Sequence, residues 1–294
     1  MSIERGANRL SIAARLRVSV AYWWRHGRWP ELDQPQRFTE WVQWRKLNDR
    51  DDALAQLTDK SIAKRLAADL LDPSFIIPTL WGGRELPELP PAPLPLIVKA
   101  NHGCNQYVAV QTPDDWQRAR RISPRWLSSS YGRWLDEHHY GAARRDIIVE
   151  PFVGQGRQLP LDYKIYVFGG RAEMVQVHHG RGRAHRWTQW GRDWQPLSAN
   201  ARDLDPPRSL VKMLDAAERL AGNRDFLRVD FYEIDGQPKF GEFCLFPGSG
   251  LDPFDPVSLD QRLGALWAAQ HPHHALAPRC ANAAVASSIL GLPQ

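Results

Sequence analysis

Cysteine is nearly missing from this chain of 294 residues. Its three copies, Cys104, Cys244 and Cys280, are odd in number, widely spaced and without a CxxC pair. That excludes a disulfide framework and a zinc cage, and leads us to expect a reducing, cytoplasmic setting. Long apolar runs are missing too, since no stretch approaches the ~20 residues of a membrane-spanning helix. The apolar segment 18–24 is short, contains Ser19 and runs into Arg25, His26 and Arg28 without a small-residue cleavage site, so it does not read as a signal peptide. A basic, amphipathic start of this kind can rest on a membrane surface, but an ordinary surface helix is the expected reading. GxSxG, GxxxxGK[ST] and GxGxxG are all absent, which argues against a serine hydrolase, a P-loop NTPase and a Rossmann protein. The histidines at His138-His139, His178-His179 and residues 271–274 supply no HxxxH or HExxH metal motif and read as surface residues, with the strand-ending His178-His179 a partial exception. Lysine is scarce: Lys46, Lys60, Lys64, Lys99, Lys164, Lys212 and Lys239 are the only seven.

What the chain does have is 43% hydrophobic residues, enough for a buried core, with 13 tryptophans, 23 prolines and no repeat or low-complexity tract. Collagen-like and disordered classes are therefore excluded, and the length suits a multi-lobed single unit. Cationic residues number 38 against 33 acidic ones, a net charge of +5 that admits phosphates, nucleic acid or acidic glycans as partners.

Apolar periodicity predicts helices over 11–24, 38–47 and 58–71, the last stopped by Asp72-Pro73, then a short strand over 75–80. Residues 87–95 form a proline-dense connection. Strands are predicted at 96–100 and 106–110 around a tight turn, helices at 114–121 and 124–137, and a strand at 147–150. Hairpins follow at 163–168 with 172–177, joined by Gly169-Gly170, and at 226–234 with 238–244, joined by Asp235-Gly236. A helix over 209–220 separates these two hairpins. Strands and helices mix without strict βαβ alternation, so the predicted class is α+β.

Two constellations carry chemistry. Lys99 ends an apolar strand and meets the turn Asn101-His102-Gly103, which would set an ammonium beside exposed backbone N–H groups, an arrangement suited to phosphate; on this motif alone, a strand-end lysine reaching to solvent is the favoured reading. Asp230 and Glu242 lie on the two arms of the second hairpin, and Arg228 shares the face of Asp230. Converging carboxylates make a hard oxygen site fit for Mg²⁺, whereas the plainer reading is a cross-strand Arg228–Glu242 ion pair. The turn Pro247-Gly248-Ser249-Gly250 follows at once. Basic and aromatic residues interleave over 181–192, yet no RRM, KH or helix-turn-helix signature accompanies them, so this reads as a substrate loop and no nucleic-acid partner is expected.

Taken in order, Asp59-Lys60, Lys99-Ala100-Asn101-His102-Gly103, Glu150-Pro151-Phe152-Val153, Asp162-Tyr163-Lys164, Arg228-Val229-Asp230-Phe231-Tyr232 and Gly241-Glu242 through Pro247-Gly248-Ser249-Gly250 resemble the ATP-grasp superfamily. With Phe38-Thr39-Glu40-Trp41-Val42-Gln43-Trp44-Arg45-Lys46-Leu47-Asn48-Asp49, they are similar more closely to TupA-like ATP-grasp proteins of bacterial surface polysaccharide biosynthesis. The resemblance implies an ATP-grasp fold whose two α+β lobes grip ATP, with a helical region at 1–85, a small lobe at 86–155 and a large lobe at 156–294. It implies that Lys60 and Lys99, beside His102 and Gly103, hold the phosphates. Glu150, Phe152 and Val153 would line the adenine, Asp162 would meet the ribose, and Lys164 would lie near the phosphates. Asp230 and Glu242 would bind Mg²⁺, and Arg228 with Lys164 would be catalytic. Gly248, Ser249, Gly250 and Arg186 would face the acceptor.

Two departures from the pattern stand out: Cys244 stands where many ATP-grasp enzymes carry a ligand asparagine, and Cys104-Asn105 replace glycines after Gly103. The activity implied is an ATP- and Mg²⁺-dependent joining of a carboxylate to an amine through an acyl phosphate. The alternatives are a sugar or small-molecule kinase on the same fold and a non-catalytic glycan-binding relative.

Overall fold

The computed structural model describes residues 2–179, 186–201 and 204–271. Helices α1 (Ser2–His26), α2 (Phe38–Asn48), α3 (Asp52–Gln56) and α4 (Lys60–Leu70) come first. Strands β1 (Trp81–Gly83), β2 (Leu96–Ala100) and β3 (Tyr107–Val110), helix α5 (Pro113–Ser128) and strand β4 (Ile147–Pro151) follow. These four strands form an antiparallel sheet in the order β1-β4-β2-β3. Next come β5 (Asp162–Phe168), β6 (Arg171–His179), β7 (Arg186–Gly191), α6 (Leu210–Ala221), β8 (Phe226–Ile234), β9 (Gln237–Cys244) and α7 (Val257–Gln270). Their strands make a second antiparallel sheet, β7-β6-β5-β8-β9. The predicted α+β class therefore holds, with one core per sheet.

The small sheet packs Val98, Val108, Val110, Ile147 and Val149 against Trp116 and Ala119 of α5. The sequence pattern had broken this helix at Pro124, but the structure runs through it. Pro124 forfeits one main-chain hydrogen bond, yet Trp116, Ala119, Ile122, Trp126 and Leu127 lie along one side of the helix and hold it to the sheet. The expected strand over 75–80 is instead a single 3₁₀ turn, Pro73–Phe75, followed by extended chain. Pro78 has no N–H to give a ladder, and pairing begins only where Leu80 N–H donates to Val149 O at 2.8 Å. The basic-aromatic loop expected over 181–192 is in its second half strand β7; residues 181–185 lie outside the described residues.

The larger core is aromatic. Phe38 of α2 sits 4.9 Å from Phe226 and 5.4 Å from Trp267 between ring centroids, and Trp41 stacks on Trp267 at 5.9 Å. This accounts for several of the tryptophans: α2 and α7 close one face of the five-stranded sheet. Arg45, fully buried, ties α2 to that sheet by pairing with Asp225 while its guanidinium lies 4.4 Å from the Trp267 ring.

Both predicted hairpins form. Asp235 and Gly236 have φ of 53° and 73°, the left-handed pair that a tight two-residue turn requires. A bulge between Asp230 and Phe231 pairs Asp230 with Glu242 and Phe231 with Phe240, leaving Gly241 as the extra residue. A Cβ there would lie 3.1 Å from Asp230 O, so glycine gives the bulge its room.

Candidate active site

Register across the large sheet decides what the site is. Gln189 pairs with Gln176, Gln176 with Lys164, Lys164 with Asp230 and Asp230 with Glu242. Cross-strand partners share a face, so one polar row crosses all five strands. Four of its members, all but Glu242, are under 9% exposed, so their polar groups need partners within the protein. Arg228 Nε and Nη2 donate to the two oxygens of Asp230 at 2.7 Å each, and Lys164 Nζ donates to the same carboxylate and lies 2.7 Å from Asp162. Burial opposes charge on Asp230, but Arg228 and Lys164 overcome it and hold the carboxyl far below its ordinary range.

The small sheet and α4 complete a cleft at the Glu242 end of this row. Asp59 caps α4, its carboxylate accepting from the N–H groups of Ser61 and Ile62 at 3.0 Å. That sets Lys60 at the first position of the helix, where its ammonium donates to Gly103 O at 2.7 Å and pairs with Glu242 at 3.2 Å. Lys64, one turn on, pairs with Glu150, whose second oxygen accepts from Lys99 at 2.7 Å. Lys60, Lys64, Lys99, Glu150 and Glu242 thus line one cleft, together with Gly103 and Cys104. Glu150, Phe152 and Val153 continue it into an apolar recess with Ile97, Leu159 and Tyr232.

Burial pushes Glu150 up, yet the pull of Lys99 and Lys64 is greater and brings it from 4.5 down to about 2. A carboxyl depressed on folding contributes stability that is complete above its unfolded value near 4.5 and disappears as pH falls toward about 2. Glu150→Gln should therefore lower the urea midpoint at pH 6 to 7, with the gap to the parent narrowing steadily below about pH 4.5. A gap that stayed constant down to pH 3 would contradict the pairing.

Other expected residues lie elsewhere. His102 is buried with Nε2 2.9 Å from Trp126 O, turned toward α5 and away from the cleft. Asp162 is 2% exposed beside Lys164 and lines no part of the cleft. Arg186 is exposed at the start of β7 and paired in register with His179. Gly248 lines a second, smaller recess at the other end of the polar row, with Arg228, Gln176, Gln189, His178 and Trp187. Ser249 is held by α2: its carbonyl and hydroxyl accept from Lys46 Nζ at 2.8 and 2.7 Å. Gly248, Ser249 and Gly250 all have positive φ, and Gly250 has no room for a Cβ, which would lie 2.4 Å from Gln43.

Sequence reasoning assigned no role to Lys46 or Lys64. Lys64 was signalled by its i, i+4 spacing from Lys60, which sets both on one helix face. Lys46 carries no local signal; burial brings its ammonium down to about 8, beside the buried Glu137.

Glu242 is a hard oxygen donor on the cleft, and Asp230 stands beside it in register, 2% exposed, with its oxygens accepting from Arg228 and Lys164. Among the described residues, no group of three or more His, Cys, Asp and Glu side chains could hold a metal. Two carboxylates beside a cation cluster fit Mg²⁺, which completes its shell with water and phosphate oxygens. Cys244, opposite Arg228, is buried and its thiol is pushed up to about 12, so it offers no thiolate ligand.

No curated protein matches the chain significantly. Among solved structures it is similar to D-alanine–D-alanine ligase from Bacillus anthracis complexed with ATP (15% identity, TM-score 0.45, covering 71% of this chain and 62% of that one). L-amino acid ligase from Bacillus licheniformis is similar at 15% identity and TM-score 0.46, covering 72% and 50%. The ATP-grasp ligase PsnB complexed with minimal precursor follows at 12% identity and TM-score 0.41, covering 74% and 62%. The chain thus spans less than two thirds of the length of each. A family model described as TupA-like ATPgrasp matches residues 40–268, from α2 to α7 and through every strand of both sheets, and the chain belongs to that family.

Proposed function

We propose that this protein is an ATP- and Mg²⁺-dependent ligase that joins a carboxylate to an amine in the synthesis of a bacterial surface polysaccharide or related metabolite. The observation that carries the reading is the polar row, which runs from a lysine-rich cleft at Glu242, through Asp230, Lys164 and Arg228, to a second recess with Gln176 and Gln189. One end suits a triphosphate and the other a small polar substrate. The reacting groups would meet between them, over Arg228.

In this reading Lys60, Lys64 and Lys99 hold the phosphates, and Ile97, Phe152, Val153, Leu159 and Tyr232 surround the base. Asp230 and Glu242 would hold Mg²⁺, which neutralises charge on the phosphates. Arg228 balances the charge that builds on the transferring phosphoryl group, while Asp162 positions Lys164. A substrate carboxylate oxygen attacks the γ-phosphorus and ADP departs, leaving an acyl phosphate. The amine nitrogen then attacks the acyl carbon, phosphate leaves and the nitrogen loses a proton. Such chemistry needs alignment and charge balance more than a nucleophilic side chain, in keeping with a site that has no triad.

The test is product analysis. Incubation with Mg-ATP and pools of amino acids, uronic acids and amino sugars should release ADP and free phosphate in equal amounts, with formation of an amide. ADP with a phosphorylated product and no free phosphate would identify a kinase. No ADP, together with no thermal shift from Mg-ATP, would identify a binding protein.

A further inference from the structure

The net positive charge of this chain has an address. Residues 1–28 contain six arginines and one glutamate, so this segment alone accounts for the formal +5, and the remaining cations and anions cancel. Most of it is α1, a helix of 25 residues and about 37 Å. Only Val18 and Tyr22 of its described side chains are buried, Tyr22 bonded to Thr39 of α2. The opposite side is apolar and bare: Ile12, Leu16, Val20, Trp23 and Trp24 follow helical spacing and are 45–74% exposed.

Two further tryptophans extend this surface. Trp29 stacks on Trp23 at 5.9 Å and is 60% exposed, and Trp134 is 83% exposed. Leu16, Val20, Trp24, Trp134, Leu135 and Leu251 line an open groove of about 720 Å³. A neighbouring opening shares Arg17, Lys46 and Asp136 with the groove and adds Arg50, Arg133, Arg145 and Glu137, so cations outnumber anions around it. Single exposed apolar residues are ordinary, but a continuous stripe with four exposed tryptophans and a rim of arginine is not. Tryptophan rings favour the boundary between lipid headgroups and acyl chains, and arginines beside them are drawn to anionic headgroups. Among the described residues no helix is long and apolar enough to cross a membrane, so contact would be from one side.

We propose that α1 and the Trp134 turn form a docking surface for an anionic lipid bilayer, the apolar stripe entering the interface and the arginines meeting the headgroups. A second copy of this chain would be a poor occupant, because two faces carrying the same excess of arginine repel.

The test uses the full chain and co-sedimentation with vesicles of phosphatidylcholine, with and without about 30% phosphatidylglycerol, the anionic lipid supplying the charge attraction. The parent should bind the anionic vesicles roughly tenfold or more tightly than the neutral ones, and about 0.5 M salt should weaken that binding because it screens the arginines. Leu16→Glu with Trp24→Glu should abolish binding while leaving the thermal midpoint unchanged, since both side chains are exposed; Trp134→Glu should weaken it. Absence of vesicle binding by the parent would overturn the proposal, as would equal binding to both vesicle types. So would a dimer in sedimentation velocity that the double variant dissociates in the absence of lipid. None of these outcomes depends on ligase activity, so failure here leaves the proposed chemistry intact.

Discussion

Asp230→Ala is expected to destabilise the protein by about 3–5 kcal/mol, the usual cost of removing one partner from a buried ion pair. The Asp230 carboxylate is 2% exposed and accepts from Arg228 through both oxygens and from Lys164. Without it, the buried Arg228 guanidinium loses both of its carboxylate hydrogen bonds, and Lys164 keeps its close ion pair with Asp162. Urea unfolding followed by tryptophan emission should show the lower midpoint. Asp230→Asn preserves the volume and part of the hydrogen bonding, and should fold well enough for assay. In that variant, loss of Mg-dependent ADP release by 100-fold or more is expected, on the order of what a lost charge-stabilising group costs. Adding Lys164→Met to Asp230→Asn should recover part of the stability and none of the activity. A single-variant midpoint equal to the parent's would show that the cations do not depend on Asp230.

Lys99→Ala is expected to weaken binding of a nonhydrolysable Mg-ATP analogue by roughly 10- to 150-fold, equivalent to a charge-assisted hydrogen bond of about 1.5–3 kcal/mol. Its effect on folding should be much smaller than that of Asp230→Ala, because Glu150 keeps Lys64 as a partner and the Lys99 side chain is 20% exposed. Titration calorimetry separates the two outcomes. Lys212→Ala, on the exposed side of α6, serves as the control and should bind as the parent does. Unchanged affinity in Lys99→Ala would remove this residue from the nucleotide site.

The two variants differ because of where their carboxylates sit. Glu150 is shared by two lysines on different elements, so either one can leave it paired. Asp230 is the hub for two cations within a sheet, so its loss deprives both of a buried carboxylate at once. The same contrast explains why the cleft could be partly read from the sequence. Lys99 at a strand end, and Asp230 and Glu242 on the arms of one hairpin, are local patterns that alternation and turn chemistry expose directly. Glu242 does lie across from Asp230, but the bulge that brings this about rests on Gly241, a residue with no side chain to advertise it.

Other residues have surroundings that no local pattern displays, because those depend on what packs against them. His102 looked like part of a phosphate turn, yet the carbonyl of Trp126 on α5 claims its ring. Ser249 looked free to meet an acceptor, yet Lys46, some 200 residues earlier, occupies both of its oxygens. Pro124 looked like a helix end, but packing against the small sheet outweighed its missing hydrogen bond.

By itself the sequence determined the α+β class, the two hairpins and the lysines worth watching. These follow from short-range rules: side-chain period, turn residues, caps and the count of each residue type. Only the tertiary structure decided that Gln189, Gln176, Lys164, Asp230 and Glu242 fall in one row, that Lys64 joins Lys99 on Glu150, and that the arginine-rich first helix keeps an apolar face bare. Register and packing join residues far apart in the chain, and a shift of one residue in any strand would turn its polar member to the other face.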